Sequence, residues 1–584
     1  MKKSFIFLLA LLPVLAIGQD KSWVEESNKN AQVLLDVLAR FNPEAAAQLG
    51  VDGFDNQVID LQPKIYERNR DALLAAQREL ESRLPAASNP AVRQDLQILI
   101  KSARDNIESA RLQDELLLPY IATAPIVFQG IQALLDPRIP KERQAAAAVR
   151  LRRYAGLEPG STALTQLAKD RASERFGDSK LAGPYKGQVE QDLADSARLI
   201  DGTKTLFTEF GIKGQEAALA AIEQQLKDYD EWVRKEILPR ARADHRLPPA
   251  IYADNLKQFG VDVDPEELMR RALVSFAEIR NEMQVVAATV AKQKGYKSSD
   301  YRDVIRQLKK QQVSGKAILP LYDRTLASIE EIVRQQRIVT LPSRKAVIRL
   351  GSEAESAVQP APHMRAPRLI GNTGEYGEFV LPLKVPNAGG KDLQMDDFTN
   401  AAASWTLTAH EARPGHELQF AAMIERGVST ARAVFAFNSV NVEGWALYAE
   451  AEMKRYFPPE GQLMGLQHRM MRAARAFLDP MVNLGRLTPE QVDEFLQREV
   501  VLSEGMAKQE KDRYTYRAPG QATSYFVGYQ ALMATRERAE LALGTRFNRQ
   551  RFHDFVLAQG LLPPELLQKA VTEEFLPAER ARDK

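Results

Sequence analysis

Apolar residues recur at steps of three and four along most of the chain, the period of a helix with one buried face. In QEAALAAIEQQLKDYDEWVRKEILP, Leu219, Ile222, Leu226, Tyr229, Val233 and Ile237 share that face, and Pro239 ends the pattern. Asp264 is a good N-cap for the next long run. Pro265 suits its first helical position, Glu267 completes a capping box, and Gly295 closes the helix about eight turns later. The same periodicity predicts helices over 24–40, 65–84, 90–116, 429–456 and 462–478, the fourth starting at a Ser429 cap. No fixed-period repeat runs through the chain, which argues against a solenoid.

Between about 338 and 400 the pattern changes. IVTLPSRKAVIRL and GEFVLPLKV are β-prone and punctuated by Pro and Gly, and VQPAPHMRAPRLIGNTG between them is a loop by composition. The fold class is therefore mainly α with a small β-sheet. A helical region spans 19–337, and a second region, 338–584, begins with the sheet. A strand in 377–385 is placed to hold an extended peptide by main-chain hydrogen bonds; ordinary connecting strands are the alternative.

The first 18 residues, MKKSFIFLLALLPVLAIG, carry two lysines, an apolar run, and Ala16 and Gly18 at the small positions of a cleavage site. They read as a secretory signal peptide, which makes the product periplasmic or secreted, with no membrane attachment once the signal is cleaved. With 79 basic and 77 acidic residues, the balance gives no argument for nucleic acid or anionic lipid. The chain has no cysteine, so disulfides and cysteine-borne lipid are excluded. Any metal must then be held by His, Asp and Glu.

That narrows attention to TAHEARPGHELQF, residues 408–420. His410 and Glu411 begin an H-E-x-x-H zinc signature, but His416 arrives two residues late. Six steps of about 100° leave the two histidines about 120° apart on a regular helix. Pro414 lacks an N–H and clashes with the His410 carbonyl, and Gly415 tolerates unusual dihedrals; a break there restores the facing. Glu443 interrupts an apolar run 27 residues after His416, and a buried carboxylate wants a cation or a strong donor. Glu450, two turns and about 10 Å further along the helix, is too far away for the same ion and suits orienting a ligand. Glu425 is a weaker alternative to Glu443, at an exposed helix end marked by Arg426 and Gly427. Two histidines that are merely neighbours in the fold remain the alternative to a metal site.

HEARPGHELQ, NVEGWALYAE, PGQATSYFVGY and FHDFVLAQGLLP, in this order, resemble the bacterial family called domain of unknown function 885. That family is similar to zinc metallopeptidases with a two-lobed helical fold like the gluzincin oligopeptidases. The resemblance implies one zinc ion per chain on His410, His416 and Glu443, with Glu411 as general base and the site in a groove between two lobes. QATSYFVGY is similar to the H-x-x-x-Y-x-x-G-Y segment of thimet-type oligopeptidases, which implies Tyr525 and Tyr529 as donors to an oxyanion. Gln521 stands where that segment has His, which leaves one donor's role open. Arg517 and Arg536 flank the segment, as clamps for a substrate carboxylate or as surface ion pairs.

Among the other histidines, His553 suits capping or packing, His363 lies in the loop where it can face substrate, and His245 and His468 carry little chemical meaning. There is no G-x-S-x-G elbow and no Walker loop. The expectation is an exported zinc-dependent peptidase acting on short peptides. Another metal-dependent amide hydrolase and an inactive peptide-binding protein of the same fold are the alternatives. The oligomeric state is not legible.

Overall fold

A computed structural model describes residues 22–382, 384–385 and 393–582. The signal segment, 1–18, lies outside the described residues. The elements that matter below are helices α1 (Pro90–Leu116), α2 (Pro265–Lys294) and α3 (Ile318–Gln335), strands β1 (Val347–Leu350), β2 (His363–Arg365) and β3 (Glu378–Leu381), then helices α4 (Ala401–Leu407), α5 (His416–Arg426), α6 (Ser439–Lys454), α7 (Pro459–Asn483), α8 (Glu504–Asp512) and α9 (Ser524–Leu543).

Helix ends follow local chemistry. The Asp264 carboxylate accepts from the N–H groups of Glu266 and Glu267, and Gly295 closes α2 in the left-handed conformation with φ 69°. Glu267 does not complete the capping box; it turns outward to Arg270 and Arg271. The helix expected over 429–456 is broken. A wide turn at Ala431–Phe435 ends it, and α6 starts afresh because the Asn438 side chain caps the Asn441 N–H at 2.7 Å. Ser429 does cap the turn, its oxygen accepting from the Arg432 N–H at 3.4 Å, and it gives its hydroxyl to Asp95 of α1, a carboxylate that the Arg432 side chain also pairs at 2.8 Å.

The three-stranded sheet has the order β1–β3–β2, with β1 parallel and β2 antiparallel to β3. β3 is fully buried and paired on both edges. Within the expected strand, 377–385, Glu378–Leu381 therefore has no free edge for a peptide, while Lys384–Val385 forms a separate pair with Leu393–Gln394. The edge strands are β1 and β2, and β2 lies in the segment composition marked as loop. A strand of three residues, His363–Arg365, is too short to carry a visible alternation.

Helices between residues 117 and 241 enclose one apolar cluster around Phe128, Leu151, Tyr154, Phe207 and Ile222. Asp136 ties that part to the sheet, pairing Arg138 at 2.9 Å and Arg365 of β2 at 2.8 Å. A larger cluster packs α2 along α7 and runs from Tyr252 to Phe526, so the core beneath the HEARPGH stretch draws on both sides of residue 338. A third, with Trp445 and Tyr448, lies between α6, α9 and the C-terminal helices.

α6 and α9 cross at a pair of glycines. A Cβ on Gly528 would overlap the Val440 carbonyl oxygen, and one on Gly444 would lie 2.6 Å from the Gly528 backbone. We expect Gly528→Ala to cost about 1–3 kcal/mol in urea unfolding, as overpacking does. Gly177→Ala, where a Cβ meets nothing within 4 Å, should stay within about 0.5 kcal/mol. Equal effects would remove the crossing as a constraint.

Candidate metal centre

The helix of HEARPGH does break, in a way that brings its histidines together. After α4 the chain widens into a turn over Thr408–Ala412, Arg413 is extended, and α5 begins at His416. The Arg413–Pro414 bond is cis. Gly415 has φ −78° and ψ −133°, outside both the helical and the extended regions, the unusual dihedrals expected of it. It is glycine because a Cβ there would overlap the carbonyl oxygens of His410 and Ala409. The break is held from outside: the Trp445 indole N–H donates to the Pro414 carbonyl at 3.0 Å. Arg413, buried, pairs Glu417 of α5 and Glu330 of α3, each at 2.7 Å.

With the break in place the two imidazole rings lie 4.7 Å apart, nearly perpendicular. Glu443 reaches in from α6, its Oε2 3.3 Å from His416 Nε2 and 3.5 Å from His410 Nε2. One donor atom from each of His410, His416 and Glu443 lies within 4.8 Å of the others. A tetrahedral zinc with bonds of about 2.0–2.1 Å places neighbouring donors about 3.3 Å apart. The spacing fits such an ion.

The remaining atoms are held in place from behind. His410 Nδ1 meets Glu450 Oε1 at 2.7 Å, which turns Nε2 toward the centre. Gln521 donates to Glu443 Oε1 at 3.4 Å, while Oε2 makes no hydrogen bond. Glu450 also takes Arg472 at 3.2 Å and the Thr406 hydroxyl. Burial works against the Glu450 charge, but Arg472 and His410 outweigh it and hold the carboxyl down to about 2. Burial opposes charge on His410 as well, yet Glu443 and Glu450 raise it to about 9. Glu443 lies well below the usual carboxylate range, burial being overcome by the two histidines. Two imidazoles and a buried anionic carboxylate with a free oxygen are a donor set suited to zinc.

Glu411 sits beside the cluster, its Oε1 4.0 Å from His410 Nε2. It faces an inner pocket shared with His410, Arg472, Arg475, Arg513 and Tyr525. Tyr525 stacks on His410 at 6.1 Å, and its hydroxyl accepts from Arg513 at 3.2 Å. Tyr529 does not join it. It packs among apolar side chains under Arg469, 5.0 Å from the guanidinium carbon. Arg517 lines a neighbouring outer pocket with Glu443, Gln521 and Tyr525 and donates to the Val358 carbonyl. Arg536 is spent on Glu452, Glu540 and the Tyr448 hydroxyl, and lines neither pocket. Glu425 is no ligand; it accepts N–H groups of Ser343 and Arg344.

The other histidines divide clearly. His553 bridges the Tyr448 hydroxyl and the Ile338 carbonyl as a buried packing group. His245 meets the Val482 carbonyl at 3.2 Å. His363, on β2, rests Nδ1 on the Ala361 carbonyl at 2.9 Å. His468, which carries little chemical meaning in the sequence, is buried against the inner pocket with Arg472 and Arg475. The signal for these three was their spacing: 468, 472 and 475 fall on one helical face, which α7 turns toward the site.

Fold and site define a mostly helical protein with a buried His–His–Glu cluster at a broken helix. The profile of the family described as "Bacterial protein of unknown function (DUF885)" matches residues 43–571, and the chain belongs to that family. No curated protein matches it in sequence. Two solved structures share the fold. One is described as "the putative lipoprotein from Colwellia psychrerythraea", 19% identical, with a TM-score of 0.75 over 94% of this chain and 99% of that one. The other, "a putative lipoprotein of unknown function from Shewanella oneidensis", is 20% identical, with a TM-score of 0.68 over 94% and 100%.

Glu450→Gln removes the anion that orients His410. Zinc affinity, measured by competition with a chelating dye, should fall about 10–100-fold. An unchanged affinity would mean that Glu450 serves the fold alone.

Proposed function

We propose that this protein is an exported zinc-dependent peptidase that hydrolyses short peptides. The observation that carries this reading is the convergence of three donor atoms at tetrahedral spacing with Glu411 beside them. A second carboxylate next to a metal cluster is superfluous for structural zinc and required for hydrolysis. The motif likeness to gluzincin oligopeptidases points the same way. Export is supported by the signal-like leader and by fold relatives described as lipoproteins. Among the described residues no helix is long and apolar enough to cross a membrane.

Zinc, when bound, supplies a Lewis acid that brings the pKa of water to about 7. The chain's own residues do the rest. Glu411 takes the proton of the attacking water and passes it to the leaving amine. Burial raises the Tyr525 phenol, so it keeps its proton. Because its oxygen accepts from Arg513, that proton is free to reach the oxygen of the scissile carbonyl as negative charge develops. Gln521 fixes one oxygen of Glu443 and leaves the other for the metal. The residue that departs from the thimet-type pattern thus has a positioning role, which weakens the inactive-binder reading. Another amide, such as a modified amino acid, would be cut by the same groups, and a substrate screen separates the two.

Metal content by mass spectrometry should be close to one zinc per chain in the native protein and near zero in His416→Ala. No zinc in the native protein after loading would end this reading. Glu411→Gln should keep its zinc and lose hydrolysis of a fluorogenic peptide mixture by about 10²–10⁴-fold. Native rates in that variant would take the base role from Glu411.

A further inference from the structure

Of the three guanidinium groups that line the inner pocket, one has no carboxylate in contact. Arg475, buried, is paired by Glu510 through two hydrogen bonds of 2.6 and 2.7 Å, leaving Nη1 with no partner. Arg472 is paired by Glu450, and its Nε has none. Arg513 differs. Its terminal nitrogens meet only neutral groups, the Tyr525 hydroxyl at 3.2 Å and the Gln509 amide oxygen at 3.3 Å. Among the described residues it makes no ion pair, and Glu510 and Glu443 act on it only at longer range. A buried guanidinium without an anion in contact is costly, and its planar fork matches a carboxylate.

The rest of the wall says what carries that carboxylate. Leu407, Met471, Leu502, Met506 and Phe398 line the pocket, while His410 and Glu411 open it onto the metal cluster.

Resting on the peptidase reading, we propose that this pocket binds the C-terminal residue of the substrate, Arg513 and the free Arg475 and Arg472 donors gripping its α-carboxylate. The enzyme is then a carboxypeptidase that prefers apolar C-terminal residues. Water adds to the last peptide carbonyl and the C–N bond breaks. The products are a peptide shortened by one residue and a free amino acid whose amine takes the proton held by Glu411.

The test compares N-acetyl-Ala-Ala-Phe with its C-terminal amide. Binding to the full zinc-loaded Glu411→Gln chain is read by calorimetry, and hydrolysis by the native enzyme is read by mass spectrometry. The free acid should bind at least about tenfold more tightly than the amide, the worth of a charge-assisted hydrogen bond. Adding Arg513→Gln should collapse that difference. Equal binding of acid and amide, or no binding of either, overturns the carboxylate subsite without recourse to any variant of Arg513. Hydrolysis of acid and amide alike at internal bonds overturns the carboxypeptidase assignment while the peptidase reading stands. Selective binding of the acid with no hydrolysis by native enzyme leaves the subsite standing and removes the peptidase reading.

Discussion

Two helices touch backbone to backbone where Gly444 meets Gly528, and the site is arranged around that contact. Glycine in a helix interior costs roughly 0.5–1 kcal/mol relative to alanine, so each is tolerated for what it allows. On α6 the neighbours of Gly444 are Glu443, which points to the histidines, and Trp445, which ties down the Pro414 carbonyl. On α9, Tyr525 sits one turn before Gly528, with Gln521 one turn earlier on the short helical turn that precedes α9. A Cβ at either glycine would push the helices apart and carry Tyr525 and Gln521 away from Glu443. The same logic holds on a smaller scale at Gly415, which lets the broken helix fold back onto its own carbonyls.

Charge is the second organising force. Glu443, Glu450 and Glu510 are buried or nearly so beside Arg472, Arg475 and Arg513. Each ion would cost several kcal/mol if left unpaired, so buried charges of this kind survive as networks. α7 supplies the link. Arg472 holds the anion behind His410, and Arg475, one turn on, holds Glu510 of α8. One helix face thus supports the ligand shell and forms the pocket wall. Removing either arginine would unsettle both.

The sequence disclosed the helices, the histidine pair and the third acidic residue, because each leaves a local mark. A 3.6-residue period, a Pro–Gly pair inside a motif, and a glutamate in an apolar run can all be read without the fold. Glu450 was legible for the same reason, as an acid two turns beyond Glu443. What stayed hidden depends on packing between distant segments. Nothing local says that Tyr525 faces His410 while Tyr529, one turn later, faces Arg469. Nothing local marks the arginines of α7 as pocket wall, since their acidic partners lie 22 and 35 residues away. β2 went unseen because three residues carry no alternation, and its partner strand fixes its identity.

The two pockets explain why the cluster lies where it does. Glu443 faces the outer pocket and His410 and Glu411 the inner one, while Tyr525 and Arg513 border both. The His–His–Glu cluster is thus part of the partition between them. In a hydrolysis across that partition, the acyl part of a substrate lies on the outer side, with Gln521 and Arg517. The leaving part lies on the inner side, with Glu411. A base on the leaving side has the shortest path to the amine it must protonate. Tyr525, shared by both pockets, stands where the carbonyl between the two parts would lie. Under the proposed peptidase reading, the asymmetry of the wall gives the chain one direction through the site, from geometry that the metal need not define.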